Sequence, residues 1–296
     1  MDGFTDPRIL GITAALASSA SWALGSILFK KLGESLSPLA MTLAKGMVSI
    51  VLLGVVLCFT GVADVTLEPL LLLAASGILG IAVADSLFFE ALQDLGPHAL
   101  AVLMMLGMVV TPILAVLFLG ESPTPLAWAG IVLVVAGIGV VLYAKLTGDE
   151  ERSSLRGTIL GTLSVICMAV SMIIAKKGLA SISAMQATFI RMVAGTAGML
   201  LCGIVTGRLG KWMLPFREPR LLSLFVFSVC VVTFGGFWLS LVAIKYVDVS
   251  IAYTLNSTEP LFILPLAVLI LKEKVTSRAV LGTVVALSGI ACLCFG

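Results

Sequence analysis

Apolar runs of about twenty residues follow one another almost without pause from Ile9 to Phe295, and this constrains the chain more than any other feature. Hydrocarbon holds no water to satisfy amide N–H and C=O groups, so a spanning backbone must be helical or part of a closed barrel. Barrel strands show about ten residues of alternating polarity, and none of these runs does. Helices remain, each needing roughly 20 residues at about 1.5 Å apiece to cross about 30 Å of lipid interior. The runs predict ten spans, at Ile9–Phe29, Pro38–Phe59, Pro69–Phe89, Pro97–Leu119, Leu126–Ala144, Gly157–Ala175, Ala184–Thr206, Leu222–Ile244, Val249–Leu271 and Ala279–Phe295. Of all residues 60% are hydrophobic and only 11% charged, against about 25% charged in soluble domains. No soluble face is left to bind nucleic acid, and no phosphate loop or hydrolase pattern occurs. Cys58, Cys167, Cys202, Cys230, Cys292 and Cys294 mostly lie within apolar runs without Cys-x-x-Cys spacing and read as small packing residues. The sole histidine, His98, stands at a span start beside Pro97 and reads as interfacial. No metal and no cofactor is expected.

The sequence repeats itself. Ser18, Ala23, Ile27, Lys30, Lys31, Ser35, Ser37 and Thr42 recur 146 positions later as Ser164, Ala169, Ile173, Lys176, Lys177, Ser181, Ser183 and Thr188, and Lys45 meets Arg191. Farther along the offset is 152, where Leu114–Leu117 meets Leu266–Leu269 and Glu121, Thr124, Gly130 and Gly137 meet Glu273, Thr276, Gly282 and Gly289. The change of six is one insertion in the loop Gly207–Arg220. The charged stretch Lys145–Arg156 divides the halves, so the repeats are taken as residues 1–148 and 149–296. Five spans per half is an odd number. The second half therefore enters the membrane from the opposite face, giving an all-α polytopic protein of two inverted five-helix repeats. Inverted halves offer two packings of similar free energy that open a central site to either side, the physics of alternating access.

Each half ends in a similar way, Leu117-Phe118-Leu119-Gly120-Glu121 followed by Gly130 and Gly137, and Leu269-Ile270-Leu271-Lys272-Glu273 followed by Gly282 and Gly289. With a basic residue early in the second span of each half, at Lys45 and Arg191, and Ala243-Ile244-Lys245-Tyr246-Val247 closing the eighth, the chain resembles the ten-helix EamA type of the drug/metabolite transporter superfamily. The resemblance implies a secondary transporter in the cytoplasmic membrane that exports amino acids or similar solutes by proton coupling or exchange. It also implies a cavity ringed by the first, third, fourth, sixth, eighth and ninth spans, with the fifth and tenth outside it. Its expected partners are a small-molecule solute and the lipid bilayer, with a homodimer as the assembly. The competing readings are a membrane-embedded lipid or isoprenoid enzyme and a channel or scaffold; conversion of a solute, rather than its exchange, would mark the enzyme.

Charge is expensive in hydrocarbon, about +2.5 to +3.5 kcal/mol by insertion scales, so intramembrane ionisable residues are functional candidates. Lys45, Asp85, Arg191 and Glu259 are the candidates. Chain tracing places Lys45 level with Asp85, and Arg191 nearer the opposite face toward Glu259, which predicts two ion pairs acting as gates at opposite mouths. The run Asn256-Ser257-Thr258-Glu259 abuts Pro260, which with Pro112 and Pro265 removes backbone donors mid-span. Trp22 and Trp238 lie mid-span, away from the headgroups where tryptophan collects, and are candidates to line the solute path. The glycine stripes of the fifth and tenth spans read as close helix packing.

Overall fold

A computed structural model describes residues 6–33, 36–146, 155–213, 218–259, 261–262 and 277–295, and these are helical with no strand among the described residues. The first repeat comprises α1 (Pro7–Leu32), α2 (Pro38–Thr60), α3 (Leu67–Gly77), α4 (Asp85–Met104), α5 (Leu106–Leu119) and α6 (Pro125–Leu146), with a π-helical stretch, Ile78–Ala84, joining α3 to α4. The second comprises α7 (Leu155–Gly178), α8 (Ala184–Val205), a short α9 (Leu209–Met213), α10 (Pro219–Cys230), α11 (Leu239–Tyr246), α12 (Val249–Asn256) and α13 (Ser277–Phe295). Here a π-helical stretch, Val231–Trp238, joins α10 to α11. Six continuous helical stretches are long and apolar enough to cross a membrane.

Local chemistry explains the helix ends. Ser37 and Ser183, equivalent in the repeat, each precede a second span and accept a hydrogen bond from the backbone N–H three residues on, at Ala40 and Gln186. Gly120 closes α5 at φ +68°, a left-handed conformation that glycine adopts without steric cost.

Four features were not evident in the sequence. The first is helical backbone throughout Asp85–Met104, across the expected loop between the third and fourth spans. A Cβ on Gly161 would nevertheless lie within 3.5 Å of Ala91, Leu100 and Leu103. A straight helix would hold Ala91 and Leu103 about 18 Å apart, so the chain reverses between them and the fourth span stays antiparallel to the third. The second is the pair of π-helical stretches, at matching places in the third and eighth spans. The third is α9, lying within the inserted loop. The fourth is the ninth span, whose α12 ends at Asn256, before Pro260. Pro260, Pro265, Lys272, Glu273, the Lys30, Lys31 and His98 side chains, and the boundary between the halves lie outside the described residues.

The helix contacts carry the inversion. A Cβ on Gly130 would meet Leu293 and Gly289, and one on Gly137 would meet Ala286 and Gly282, so α6 and α13 run antiparallel. Each of those two contacts is the image of the other under the repeat. With no hydrophobic force between helices in lipid, such close approach is gained through dispersion, and it needs small residues. Apart from these two helices, α1 runs antiparallel to the eighth span, Gly11 lying against Tyr246 and Val247 and Gly25 against Val232.

Gly137→Leu should lower stability by about 1–3 kcal/mol, the usual cost of overpacking, whereas Gly54→Ala, where a Cβ would lie 3.6 Å from Phe189, should be tolerated. Thermal denaturation of the two variants in detergent measures the difference.

Candidate functional site

A π-helical turn shifts the main-chain hydrogen-bond register. Here each π-helical stretch also accepts, at one carbonyl, the hydroxyl of a serine of the opposite repeat. Ser18 in α1 donates its hydroxyl to the Gly236 carbonyl at 2.8 Å, and Ser164 in α7 donates to the Ala84 carbonyl at 2.8 Å. The two bonds are images of one another, Ser18 matching Ser164 at offset 146 and Ala84 matching Gly236 at offset 152. Both serines are fully buried. Ser76 and Ser171 exchange hydroxyl bonds with each other's carbonyls, at 2.7 and 2.8 Å, and tie α3 to α7 about two turns farther along.

Between these fixed stretches lies the buried charge. Lys45 and Arg191 are each the eighth residue of a helix, α2 and α8, and these helices start at opposite faces. Lys45 Nζ lies 3.0 Å from Asp85 Oδ2, the two side chains being 6% and 15% exposed. The same ammonium stands 4.9 Å from the centroid of the Phe237 ring, within cation–π range. Phe237 meets Trp22 edge to face at 4.9 Å between centroids. Gly77 admits α8 so closely that a Cβ there would strike the Arg191 backbone. Arg191, 7% exposed, donates from Nη2 to Ser171 Oγ at 3.1 Å, while its Nε has no partner. The carboxylate that attracts it is Asp85. Under the repeat Lys45 maps to Arg191 and Asp85 to Phe237, so the cluster straddles the pseudo-twofold axis. Breaking one partner of a buried pair is strongly destabilising, by about 3–5 kcal/mol.

Ile81, Thr188, Arg191, Met192, Phe237 and Leu241 line a cavity of about 10 Å³ beside the cluster, about the room of one water. Ligand pockets run to about 300–1,000 Å³, so the bundle is closed tightly here. The lining comes from the third, seventh and eighth spans, and the cations come from the second and seventh, which stood outside the expected ring.

The two separate gates foreseen in the sequence are not the arrangement found. Arg191 turns to Ser171 rather than pairing with Glu259, because the close α3–α8 contact sets it against the π-helical stretch. Glu259 is half-buried just past α12, with an interaction of its own. Beside it Thr258 and Ser19 share a hydroxyl bond of 3.1 Å. Asn256 ends α12 with its side-chain oxygen buried and unbonded. Trp238 packs against the main apolar core, away from the charges, whereas Trp22 forms one wall of the cluster.

Sequence reasoning missed Glu121 as a working residue. Following Gly120, it accepts from Val249 N at 2.6 Å, Ser250 N at 3.1 Å and Ser250 Oγ at 2.6 Å, capping α12 of the other repeat. On the same face Lys176 donates to the Ile244 and Val247 carbonyls, Lys245 to the Ile182 carbonyl at 2.7 Å, and Gln186 bonds both Ala63 N and Ala63 O. These contacts close the face that carries both chain ends. On the opposite face exposed Arg156 pairs with Glu90 and Asp94.

A family model described as the EamA-like transporter family matches residues 9–143 and 155–295. No curated protein is significantly similar to the chain. One solved crystal structure superposes with a TM-score of 0.75 at 17% identity, over 97% of this chain and 95% of its own, a likeness of fold.

Ser18→Ala and Ser164→Ala should each destabilise by about 1 kcal/mol, the usual worth of one hydrogen bond. Glu121→Gln should weaken the cap by about 1 kcal/mol and speed hydrogen exchange at Val249 and Ser250 before any other part of α12. Denaturation and exchange mass spectrometry read the two effects separately.

Proposed function

We propose, since this chain belongs to the EamA-like transporter family and is thereby a multi-pass membrane transporter, that it carries an amino acid or similar small solute outward across the cytoplasmic membrane by alternating access. The observation that supports the reading most is the buried Lys45–Asp85–Arg191 cluster, drawn from both repeats and astride their axis. Charge at that depth is too costly to keep for packing alone. A site on the axis is also the one place that both packings of an inverted pair can leave in position while the access path changes sides.

The inter-repeat bonds of Glu121 and Gln186, with the bonds of Lys176 and Lys245 inside the second repeat, then act as the closed gate of one face, and opening on that side requires their release. Driving force enters through a proton gradient or through exchange, with Asp85 the carboxylate whose partner would have to change. A membrane enzyme would instead need a nucleophile, base or metal set facing one side.

Asp85→Asn, Lys45→Gln and the double variant should each slow solute counterflow in proteoliposomes by about tenfold or more, equivalent to ~1.4 kcal/mol. The double variant removes both charges together, and so separates loss of mechanism from the instability of a lone buried ion. Wild-type flux in that folded double variant would take the cluster out of the transport path.

A further inference from the structure

We infer that Arg191 is the docking point for a monoanionic group of the carried solute, a carboxylate above all; the inference rests on the transport reading and names the chemistry its site selects. Among the described residues the repeat has supplied the cluster with two cations, Lys45 and Arg191, and one carboxylate, Asp85, because the image of Asp85 is Phe237. Lys45 takes that carboxylate at 3.0 Å and the Phe237 face besides. Arg191 is left with a neutral hydroxyl, Ser171 Oγ, and the longer-range pull of an acid already engaged. It is nine-tenths buried with Nε unbonded, and it lines the cavity.

A buried guanidinium without its own anion is a strained arrangement, and an incoming carboxylate relieves it with two parallel charge-assisted hydrogen bonds. The surplus is one charge, which one carboxylate balances and a phosphate dianion overshoots. Lysine in that position would offer a point charge rather than a planar fork. Ser171 holds the guanidinium from one side, so the remaining donors are directed and need no reordering on binding. Gly80 makes room: a Cβ there would strike Ser171 Oγ and approach Arg191 Nη2 to 3.4 Å. Phe237, Ile81, Met192 and Leu241 line the same cavity with apolar surface for the solute's remaining body.

The test uses the full chain in detergent, with acetate as the probe, replacing chloride at constant ionic strength, and acetamide as its uncharged counterpart. Acetate should raise the melting temperature saturably and acetamide should not. Arg191→Gln should abolish the response, and Arg191→Lys and Ser171→Ala should weaken apparent affinity by about tenfold, as loss of a charged hydrogen bond does. No acetate response in the wild type, an equal response to acetamide, or an undiminished response in Arg191→Gln overturns the proposal. Should Arg191→Gln not fold, wild-type affinity in both Arg191→Lys and Ser171→Ala overturns it instead. Proteoliposome counterflow of amino acids against their carboxamides separates this from the transport reading. Equal flux of both by wild type and Arg191→Lys removes the subsite and leaves a transporter; acetate binding with no counterflow of any solute leaves the subsite and removes the transporter.

Discussion

Hydrocarbon offers no competing partner to a buried polar group, and the centre of this molecule depends on a pair of serine hydrogen bonds that join its two repeats. Each π-helical stretch accepts, at one of its carbonyls, a serine hydroxyl from the other repeat. The repeats are therefore joined at their centre by hydrogen bonds that neither could complete alone. The bonds occur as an image pair, so they hold the third and eighth spans at equal stations about the axis. Everything that makes the middle chemically distinct, from the Lys45–Asp85 pair to the Trp22–Phe237 contact, is mounted on those two stretches or packed against them.

Where the symmetry is broken, it is broken in chemistry while the backbone keeps it. Gly25 faces Val232 on one side of the axis, and their images, Ser171 and Gly80, face each other on the other side with the larger residue exchanged. Ser49 bonds Thr233 at 2.7 Å, while the image positions hold Gly195 against Ile81, a dry contact. Asp85 and Phe237 carry the same exchange into the charge cluster. An inverted pair with identical halves would weigh its two access states equally. Substitutions of this kind bias one state by the difference between a hydrogen bond and an apolar contact, about 1 kcal/mol each, which is enough to favour a direction without locking it.

Much of this was legible in the sequence because it rests on periodicity and spacing. Spans follow from runs of hydrophobicity, inversion from an odd span count, and the glycine contacts of α6 and α13 from stripes at helical intervals. The nearness of Lys45 to Asp85 follows from depth, since one residue lies early in a returning helix and the other late in an outgoing one. Depth alone failed for Arg191. Its level depends on Gly77 and Gly80 letting α8 close on α3, and on a π-helical stretch with no distinctive residue pattern. Glu121 was legible as a repeated letter but not as a cap, because its partners at Val249 and Ser250 lie 128 and 129 positions away on another helix. Ser18 and Ser164 were likewise visible as repeat markers, while their acceptors appear only once the backbone leaves the α-helical register.

The polar contacts and the charge cluster are two ends of one mechanical problem. Opening the face that carries the chain ends means withdrawing the Glu121 carboxylate from the start of α12 and freeing Lys176 of α7 from the end of α11, so the ninth span must move against the first repeat and the eighth against the sixth. The eighth span bears Phe237, and its π-helical stretch is bonded to α1 through Ser18. Movement that breaks the peripheral contacts therefore pulls on the aromatic face over Lys45, and a change in the pairing of Lys45 is felt at the gate through the same helix. Packed interiors change between discrete arrangements rather than deforming continuously, so a solute that alters the charge balance at Arg191 has a rigid path by which to favour one arrangement over the other.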